Sequence, residues 1–549
     1  MGLDLNGIAG ASVRLANRFG DEAYFVALCA RSGIVGPELP HRVAQLGLAF
    51  ARFGLLGGAV AAGAIRHGDR VALIDELGEL TYKQLDQRSN ALANGWREHG
   101  LEPGEGVAIL ARNHRGFFDA LFAAGKCGAK IVLLNTSFAG PQIREVVAQE
   151  GADLLVYDDG YSEMLAEIQL RRGRWCAWAD EPRLDAIEAL IERSSSKAPP
   201  KAGAPMRIVI LTSGTTGTPK GAPRARPRSL SLVGGLLSKV PFRAGEATEL
   251  CVPMFHALGF VHALLGLALG STLVIRRGFD PGQTLDSLER HHATALVVVP
   301  AMLRRILDKA SSSSRMPRDR LRHLRIIFVG GSQLGAELCT RTMAAFGPII
   351  YNLYGSTEVA YASIATPEDL QQEPGCVGEV VRGSVVKILD RDGVEVPPET
   401  TGRIFVGNAA QFEGYTGGGS KEHVRGLMAS GDVGHFDRNG RLFIDGRDDD
   451  MIVSGGENVF PGEVEEFLAA HQAIEEAAVI GVDDDQFGQR LKAFVVTCAG
   501  AELSEEEVKD YVRKNLARYK APREVVFLDQ LPRNPTGKVL KRELEQQPQ

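Results

Sequence analysis

Short apolar segments alternate with amphipathic segments along most of this 549-residue chain, starting at Arg70. Residues 106–135 (GVAILARNHRGFFDALFAAGKCGAKIVLLN) show the pattern clearly and predict a strand, a helix and a second strand. Strands separated by helices pair in parallel and are covered by helices on both faces of the sheet. The pattern therefore predicts an α/β fold. Because the chain is too long for one hydrophobic core, we expect two or more domains.

The pattern changes twice towards the C-terminus. After Gly375 the sequence consists of short, turn-rich strands, which predicts a β-rich subdomain. After Asp445 a final segment of about one hundred residues has the size of a small separate domain. A Ser-, Pro- and Lys-rich stretch at residues 194–205 (SSSKAPPKAGAP) predicts a surface linker.

The N-terminal region contains one segment, residues 46–65, that is apolar over the length of a membrane span. It carries Arg52 and five glycines, so we favour packing within the protein over peripheral contact with a membrane, and both over a spanning helix. The balance of 62 basic and 68 acidic residues does not suggest nucleic acid as a partner. Seven scattered cysteines form no zinc or disulfide pattern, and the N-terminus lacks the features of a signal peptide. We expect a cytoplasmic protein, with membrane association as the open alternative.

The most specific motif is LTSGTTGTPKG at residues 211–221, directly after the predicted strand MRIVI. Glycines let backbone N–H groups converge on an anion, and hydroxyls with one lysine supply further donors and charge, so the motif predicts a phosphate-binding loop. It is not a P-loop, because Pro219 precedes Lys220 and Gly221 follows it. The dinucleotide fingerprint G-x-G-x-x-G is missing, and GGSQL at 330–334 lacks the last glycine of a serine nucleophile elbow.

Six further motifs follow in order along the chain: PMFHALG (253–259), VGGSQL (329–334), YGSTE (354–358), SGDVGHFDRNGRLFIDGRDDDMIVSGGENVFPGEVE (430–465), LARYKAP (516–522) and PRNPTGK (532–538). Together with the loop they resemble the adenylate-forming superfamily, which includes acyl-CoA synthetases, nonribosomal peptide adenylation domains and firefly luciferase. The resemblance extends from about Asp69 to the end of the chain. Chance agreement at this many ordered sites is negligible.

The resemblance implies an architecture. Residues 69–448 would form a large domain of two doubly wound α/β subdomains plus a β-rich subdomain. Residues 449–549 would form a small, mobile α+β C-terminal domain with its hinge at Asp449. Residues 1–68 would be an N-terminal extension outside the family core, and a homodimer is common in the family.

The resemblance also implies an activity, that of an AMP-forming carboxylic acid–CoA ligase. Such an enzyme uses ATP and Mg²⁺ to form an acyl-adenylate and passes the acyl group to coenzyme A. The small apolar residues of 260–274 (FVHALLGLALGSTLV) favour a medium- or long-chain fatty acid, with an aromatic acid as the alternative. A ligase that loads an acyl carrier protein is a further alternative, although this chain shows no phosphopantetheine-attachment domain.

Nucleotide-binding roles follow from the resemblance. The β- and γ-phosphates would be held by the loop residues Thr212, Ser213, Gly214, Thr215, Thr216, Gly217 and Lys220. Adenine would lie against Gly330, Gly331 and Ser332, with Tyr354 stacked on the base. Asp432 would accept the ribose hydroxyls next to Arg447. Glu358 would bind Mg²⁺, Thr357 would lie near the α-phosphate, and Gly355 would be a further nucleotide-binding residue.

The resemblance implies catalytic roles for Lys538, Thr216, Glu358 and His256. Lys538 would bridge the substrate carboxylate and the α-phosphate, and it must leave before the thiol enters, so the small domain would rotate about Asp449. Gly455 and Gly456 would then line the pantetheine tunnel. His256 would gate the carboxylate pocket, and a satisfied core histidine is the equal alternative.

Two departures from the family pattern involve arginines. The basic run after the loop, with Arg224, Arg226 and Arg228, would either contact CoA phosphates or form a solvated turn, which we favour. Arg403 stands where relatives often carry Glu, and we expect no consequence for catalysis.

Overall fold

The computed structural model describes residues 20–212, 220–223, 229–311, 317–409, 411–412, 414–416, 418–448, 450, 452–454, 457–459, 461–484, 488–516, 520–534 and 537–546. The described helices of the large domain begin with α1 at residues 20–32. The others are α2 (Pro40–His67), α3 (Tyr82–Glu98), α4 (Arg115–Cys127), α5 (Gly140–Gln149), α6 (Ile187–Arg193), α7 (Ser231–Lys239), α8 (Ala257–Ala268), α9 (Pro281–Arg290), α10 (Pro300–Ser311), α11 (Pro317–Arg320), α12 (Ala336–Phe346) and α13 (Pro367–Gln372).

Two sheets, each with parallel central strands, form most of the large domain. The first has the order β15-β14-β13-β12-β11-β9-β10-β1-β2 and is parallel from β1 through β13. Its strands are β1 (Val71–Asp75), β2 (Gly78–Thr81), β9 (Ala247–Leu250), β10 (Thr272–Ile275), β11 (Ala295–Val298), β12 (Ile326–Val329), β13 (Ile350–Ser356), β14 (Ala360–Ala365) and β15 (Glu379–Val380). Helices pack on both faces, as their hydrophobic clusters show.

The second sheet has the order β6-β5-β3-β4-β7-β8 and is parallel except for its last pair. Its strands are β3 (Gly106–Leu110), β4 (Lys130–Leu133), β5 (Ala152–Asp158), β6 (Arg174–Trp178), β7 (Arg207–Thr212) and β8 (Lys220–Pro223). One large cluster of buried side chains joins the facing sides of the two sheets around α4, in which every residue after Arg115 is buried.

A third, antiparallel sheet is the predicted β-rich subdomain. Its strands are β16 (Ser384–Leu389), β17 (Gly402–Asn408), β18 (His423–Val424), β19 (Leu427–Phe436) and β20 (Leu442–Arg447). In the last strand pair Asp432 lies directly opposite Arg447, so this sheet edge presents both side chains together.

The C-terminal region forms a small α+β unit with its own hydrophobic cluster. It contains β21 (Ile452–Ser454), β22 (Glu457–Val459), α14 (Pro461–Ala469), β23 (Ile474–Asp484), β24 (Gly488–Thr497), α15 (Glu505–Asn515), β25 (Glu524–Phe527) and α16 (Lys541–Glu545). The fold class predicted from the sequence is confirmed: an α/β large domain with a β-rich subdomain, followed by a small α+β domain.

Helix α2 is not one straight rod. Gly54 has φ +69° and ψ −158°, a conformation that glycine adopts readily and other residues rarely adopt. The bend at this residue folds residues 40–53 back onto residues 55–67. A methyl group at Gly58 would lie 2.8 Å from the Cα of Phe50, which shows how closely the two arms pack. The inner arm buries Leu56 and Val60 in the core, whereas the outer arm leaves Leu48 largely exposed.

Among the described residues, α2 is the one helix whose length and composition would allow it to cross a membrane, and 44% of its most apolar window is buried. The sharp bend at Gly54 divides it into two arms of about 20 Å each, shorter than a bilayer's hydrocarbon core. The expectation of packing within the protein therefore holds for the inner arm and in part for the outer one, which buries Ala49 and Phe53 and leaves Val43, Leu48 and Phe50 exposed.

Candidate active site

The predicted phosphate loop starts and ends on one strand pair. Thr212, the last residue of β7, pairs with Lys220, the first residue of β8. The seven residues between them, including Ser213, Gly214, Thr215, Thr216 and Gly217, lie outside the described residues, and of Thr212 and Lys220 only the backbone is described. The pairing holds the two ends of the loop side by side at the carboxyl end of β7.

The strand after the loop packs tightly on its surroundings. A methyl group at Gly221 would lie 2.6 Å from Oε1 of Glu150 and 2.7 Å from Oγ1 of Thr416. The backbone N–H of Thr416 also donates to the carbonyl of Gly221 at 3.0 Å. The residue after Lys220 therefore has no room for a side chain.

Three predicted nucleotide-binding residues form a hydrogen-bonded cluster. The Tyr354 hydroxyl donates to Oδ2 of Asp432 at 2.7 Å, and Nη1 of Arg447 donates to Oδ1 of the same carboxylate at 3.0 Å. Burial, reinforced by Asp432, raises the pKa of Tyr354 well above its ordinary value, so the phenol stays protonated and remains a donor. The structure thus brings together Tyr354 from β13 with the cross-strand pair Asp432 and Arg447.

Glu358 lies in the turn between β13 and β14 and is hydrogen-bonded on both carboxylate oxygens. Oε2 accepts from the Ser356 hydroxyl at 2.9 Å, and Oε1 accepts from the Tyr415 hydroxyl at 3.1 Å. Burial raises the pKa of Tyr415 to about 12, and Glu358 adds to the shift. The Ser356 and Tyr415 hydroxyls therefore both donate to the Glu358 carboxylate and orient it.

The surroundings of Glu358 suit Mg²⁺ in a nucleotide site. Each carboxylate oxygen has lone pairs beyond the hydroxyl contact, and Mg²⁺ is commonly bound by one or two carboxylates plus phosphate oxygens and water. Among the described residues no group of three or more His, Cys, Asp or Glu side chains converges as a dedicated metal cage. This donor set fits a metal shared with a phosphate ligand.

At two positions near this cluster the backbone geometry requires glycine. Gly331, just past the end of β12, has φ +94°. A methyl group at Gly355 would lie 2.1 Å from the carbonyl oxygen of Ala360 on the neighbouring strand. Gly330 is buried at the end of β12, while Ser332 and Thr357 are half-buried in the adjoining turns. All five predicted positions lie at the carboxyl ends of β12 and β13.

The loop that carries Lys538 contacts the large domain. A methyl group at Gly537 would lie 2.6 Å from Cβ of Ala301 and 3.8 Å from Cγ2 of Val299. The backbone N–H of Lys538 donates to the Asn534 side chain at 2.9 Å, and the Lys538 side chain is exposed. A methyl group at Gly331 would lie 3.5 Å from Cγ1 of the same Val299. Val299 thus lies between the Lys538 loop and the segment predicted to hold adenine.

A second contact between the two domains caps a helix. Helix α12 has no side-chain cap of its own at Gly335. Oε1 of Glu466, on α14 of the C-terminal domain, accepts from the backbone N–H of Ala336 at 2.9 Å. A carboxylate at a helix N-terminus satisfies a free N–H group and interacts favourably with the helix dipole. Asp449, Gly455 and Gly456 lie outside the described residues.

His256 is the residue before α8 and is half-buried. Burial lowers the pKa of its imidazole to about 4, and its ring lies 4.5 Å from that of Phe255. Its Nε2 has no hydrogen-bond partner among the described residues. The ring is neutral at physiological pH, but no contact tests the predicted gating role.

Sequence reasoning missed two residues around these clusters. Tyr415 and Glu466 belong to none of the motifs used for prediction, and their roles follow from contacts between distant segments. Arg403, for which we expected no consequence for catalysis, donates to Asp448 at 2.8 Å and to Glu422 at 2.6 Å, so it anchors the residue next to the predicted hinge, and that expectation stays a prediction. Arg224, Arg226 and Arg228 lie outside the described residues.

Comparison with known proteins identifies the family. The AMP-binding enzyme family matches residues 60–416, and the AMP-binding enzyme C-terminal domain matches residues 463–538. The chain belongs to this family of AMP-binding enzymes. The sequence-based prediction of an adenylate-forming enzyme of the AMP-forming acid–thiol ligase class is thereby confirmed.

Individual relatives align over most of the chain. Feruloyl-CoA synthase from Amycolatopsis sp is 33% identical, and the alignment covers 88% of this chain and 95% of the relative. Fatty acid–[acyl-carrier-protein] ligase ScoC from Streptomyces coeruleorubidus is 29% identical, with 86% and 92% covered. The solved structure of o-succinylbenzoate-CoA synthetase from Bacillus subtilis, in complex with its acyl-adenylate intermediate, matches with a TM-score of 0.78 at 27% identity. It covers 89% of this chain and 98% of the other.

Proposed function

We propose that this chain is an ATP-dependent ligase that activates an aromatic carboxylic acid as its acyl-adenylate and transfers the acyl group to coenzyme A. Feruloyl-CoA synthase and o-succinylbenzoate-CoA synthetase, to which the chain is similar, are named for aromatic acids. The medium- or long-chain fatty acid predicted from the sequence is the second candidate, supported by the similarity to a fatty acid–[acyl-carrier-protein] ligase.

The observation that carries the proposal is the position of the Lys538 loop. Gly537 packs on Ala301 and Val299, and Val299 also lies next to Gly331. A lysine that arrives from the second domain beside the nucleotide segment supplies positive charge where two anions, the substrate carboxylate and the α-phosphate, must approach each other. Such preorganised charge is the largest contribution that an enzyme makes to this type of reaction.

The remaining predicted residues take nucleotide-binding roles in this proposal. Asp432 accepts the ribose hydroxyls, oriented by Tyr354 and Arg447. Glu358 holds Mg²⁺, which when bound neutralises charge on the phosphate oxygens. Adenine lies against Gly330, Gly331 and Ser332, with Gly355 and Thr357 near the α-phosphate. The phosphates are held by the loop residues Thr212, Ser213, Gly214, Thr215, Thr216, Gly217 and Lys220.

The proposed reaction has two balanced steps. A carboxylate oxygen of the acid attacks the α-phosphorus of ATP, and pyrophosphate leaves. The thiol of coenzyme A then attacks the acyl carbon, AMP leaves, and the thiol proton passes to solvent. Lys538 acts in the first step. For the second step, rotation of the C-terminal domain about Asp449 brings Gly455 and Gly456 to the tunnel through which the thiol of coenzyme A enters.

The test measures pyrophosphate and acyl-CoA separately. The protein is incubated with ATP, Mg²⁺, CoA and a panel of aromatic and straight-chain acids, and products are identified by mass spectrometry. Lys538→Ala is expected to lower pyrophosphate release at least a hundredfold, because the charge at the reacting centre is lost. Lys541→Ala, which removes a nearby lysine paired with Glu465, is the control and is expected to keep full activity.

The outcomes separate the candidate functions. Aromatic acyl-CoA that collapses in Lys538→Ala supports the proposal. Turnover of straight-chain acids alone supports the fatty-acid candidate. Acyl-adenylate without acyl-CoA indicates a carrier-protein acceptor. No pyrophosphate release with any acid contradicts the ligase proposal.

We also propose a cytoplasmic enzyme that touches an anionic lipid surface through the outer arm of α2. Residues 40–67 contain no acidic residue, and Val43, Leu48 and Phe50 are 55%, 69% and 42% exposed beside the exposed Arg42, which lies 3.9 Å from Glu38. Basic, apolar helix surfaces bind anionic membranes. Sedimentation with phosphatidylglycerol vesicles tests this contact, and Leu48→Glu is expected to weaken it.

The homodimer stays a prediction. Light scattering on the purified protein, which measures its molar mass in solution, tests it.

A further inference from the structure

Glu150 is a buried carboxylate directly after the last residue of α5, and it is 3% exposed. The ammonium group of Lys130 donates to its Oε2 at 2.7 Å and to its backbone carbonyl at 2.8 Å. Lys130 is the first residue of β4, which lies next to β7 in the second sheet. Because buried charges need a partner and this one is held at two points, the carboxylate has a fixed position relative to the sheet.

The second carboxylate oxygen of Glu150 contacts the surroundings of the phosphate loop. Oε1 accepts from the hydroxyl of Thr416 at 2.5 Å. The backbone N–H of Thr416 donates to the carbonyl of Gly221 at 3.0 Å, and a methyl group at Gly221 would lie 2.6 Å from Oε1 of Glu150. Gly221 is the second residue of β8, directly after Lys220. Glu150 and Thr416 therefore pack against the strand that follows the phosphate loop and fix its position.

The segment that contains Thr416 also contacts the predicted metal ligand. Tyr415, the residue before Thr416, donates its hydroxyl to Oε1 of Glu358 at 3.1 Å. The backbone N–H of Phe412 donates to the carbonyl of Glu358 at 3.0 Å. Phe412, Tyr415 and Thr416 therefore connect the strand after the phosphate loop with the turn that carries Glu358.

We propose that Glu150 is a positioning residue for the adenylation step and sets the distance between the phosphate loop and the carboxylate of Glu358. The inference rests on the proposed ATP-dependent ligase. Phosphates held by the loop and a metal held by Glu358 share oxygen atoms, so a displacement between the two elements weakens both contacts. Lys130 anchors Glu150 to the sheet, and Thr416 passes this fixed position on to Tyr415 and to the strand after the loop.

The experiment removes the Thr416 hydroxyl in a side chain of similar shape. For Thr416→Val we expect the KM for ATP and the Mg²⁺ concentration for half-maximal pyrophosphate release to rise about three- to tenfold, because one charge-assisted hydrogen bond is lost. The KM for the acid should change less than about twofold, because the acid does not depend on this contact. Thr416→Ser keeps the donor and is expected to match the wild type. Glu150→Gln loses the charge that pairs with Lys130 and is expected to act in the same direction as Thr416→Val.

Two further variants separate positioning from general stability. Asp119 is another buried carboxylate, paired with Arg88 at 2.8 Å, and Asp119→Asn is expected to lower stability and leave the Mg²⁺ requirement unchanged. Glu150→Gln combined with Tyr415→Phe is expected to raise the Mg²⁺ requirement less than the product of the two single effects, because both residues act through Glu358. An equal rise in Asp119→Asn, or fully multiplicative effects in the double variant, overturns the inference.

Calorimetric titration with ATP, with and without Mg²⁺, gives a readout that does not depend on turnover. We expect Mg²⁺ to tighten ATP binding in the wild type, and we expect Thr416→Val and Glu150→Gln to reduce this gain at least about threefold. An unchanged gain in both variants overturns the inference and leaves the ligase proposal intact. Absence of pyrophosphate release with every acid contradicts the ligase itself, and the gain in ATP affinity then still decides the role of Glu150.

Discussion

The hydroxyl of Tyr354 donates a 2.7 Å hydrogen bond to Oδ2 of Asp432, a residue on a different sheet. The bond ties β13 of the first α/β sheet to β19 of the antiparallel sheet, and Arg447 holds the second carboxylate oxygen. Asp432 therefore has a fixed orientation before any nucleotide binds, which reduces the entropy lost on binding.

Removal of the Tyr354 hydroxyl is expected to weaken nucleotide binding. In Tyr354→Phe the aromatic ring stays, but one neutral-to-charged hydrogen bond is lost, which corresponds to about 1–2 kcal/mol, or roughly a five- to thirtyfold rise in the dissociation constant for ATP. Fluorescence or calorimetric titration with ATP measures the change. Tyr511→Phe, in the C-terminal domain, is the matched control, and equal affinity in both variants would count against the role of this contact.

Tyr415→Phe is expected to disturb the metal requirement. The Tyr415 hydroxyl orients Oε1 of Glu358, so its loss frees the carboxylate to rotate. The Mg²⁺ concentration for half-maximal pyrophosphate release should rise severalfold at saturating ATP. Ser356→Ala, which removes the partner of Oε2, should act in the same direction. Unchanged Mg²⁺ dependence in both variants would show that Glu358 does not hold the metal.

Glu466→Ala is expected to affect one half-reaction only. The carboxylate caps α12 across the domain boundary in the conformation that brings Gly537 onto Ala301. Pyrophosphate release should fall several-fold, and transfer of the acyl group from a supplied acyl-adenylate to CoA should keep its rate. Glu463→Ala, on the same helix but paired with Lys520 inside the C-terminal domain, is the control. An equal loss in both half-reactions would point to misfolding instead of domain docking.

Gly54→Ala is expected to destabilise the protein. An L-residue at φ +69° and ψ −158° costs about 1–3 kcal/mol, so the free energy of unfolding should fall by that amount. Gly47→Ala, in the exposed outer arm with no atom within 4 Å of the added methyl group, should instead stabilise the helix by about 0.5–1 kcal/mol. Urea denaturation of both variants measures the two opposite changes. Equal effects would mean that the bend is not maintained in solution.

Stability is expected to fall on mild acidification. Burial lowers the pKa of His67, His256 and His262 to about 4, from 6.5 in the unfolded chain. Between pH 6.5 and pH 4 these three histidines therefore bind more protons in the unfolded chain than in the folded protein, and their contribution to the free energy of unfolding decreases as the pH falls. Between pH 7 and pH 5 the loss should be about 2 kcal/mol smaller in His262→Phe than in the wild type. Parallel stability curves would contradict the buried, neutral state of this ring.

The amino-acid sequence determined the fold class and predicted where the nucleotide site would form. Alternating apolar and amphipathic segments are local patterns, and a glycine- and hydroxyl-rich loop after a strand carries its chemistry within eleven residues. Tyr354 was identified from one motif and Asp432 and Arg447 from another, and the structure brings the three side chains into one cluster.

Only the tertiary structure decided the contacts between distant segments. Tyr415 meets Glu358 across 57 positions, and Glu466 meets Ala336 across 130. The apolar segment at 46–65 is one continuous stretch in the sequence, yet the backbone at Gly54 divides it into an inner arm that is mostly buried and an outer arm that is mostly exposed. His262 lies in an apolar run in which nothing local marks it. Its burial beside Phe242, Phe328 and Leu258, with no partner for Nε2 in the described part of the chain, is a property of the packed structure. Local propensity depends on neighbouring residues, whereas burial and hydrogen-bond partners depend on which distant segments the packed core brings together.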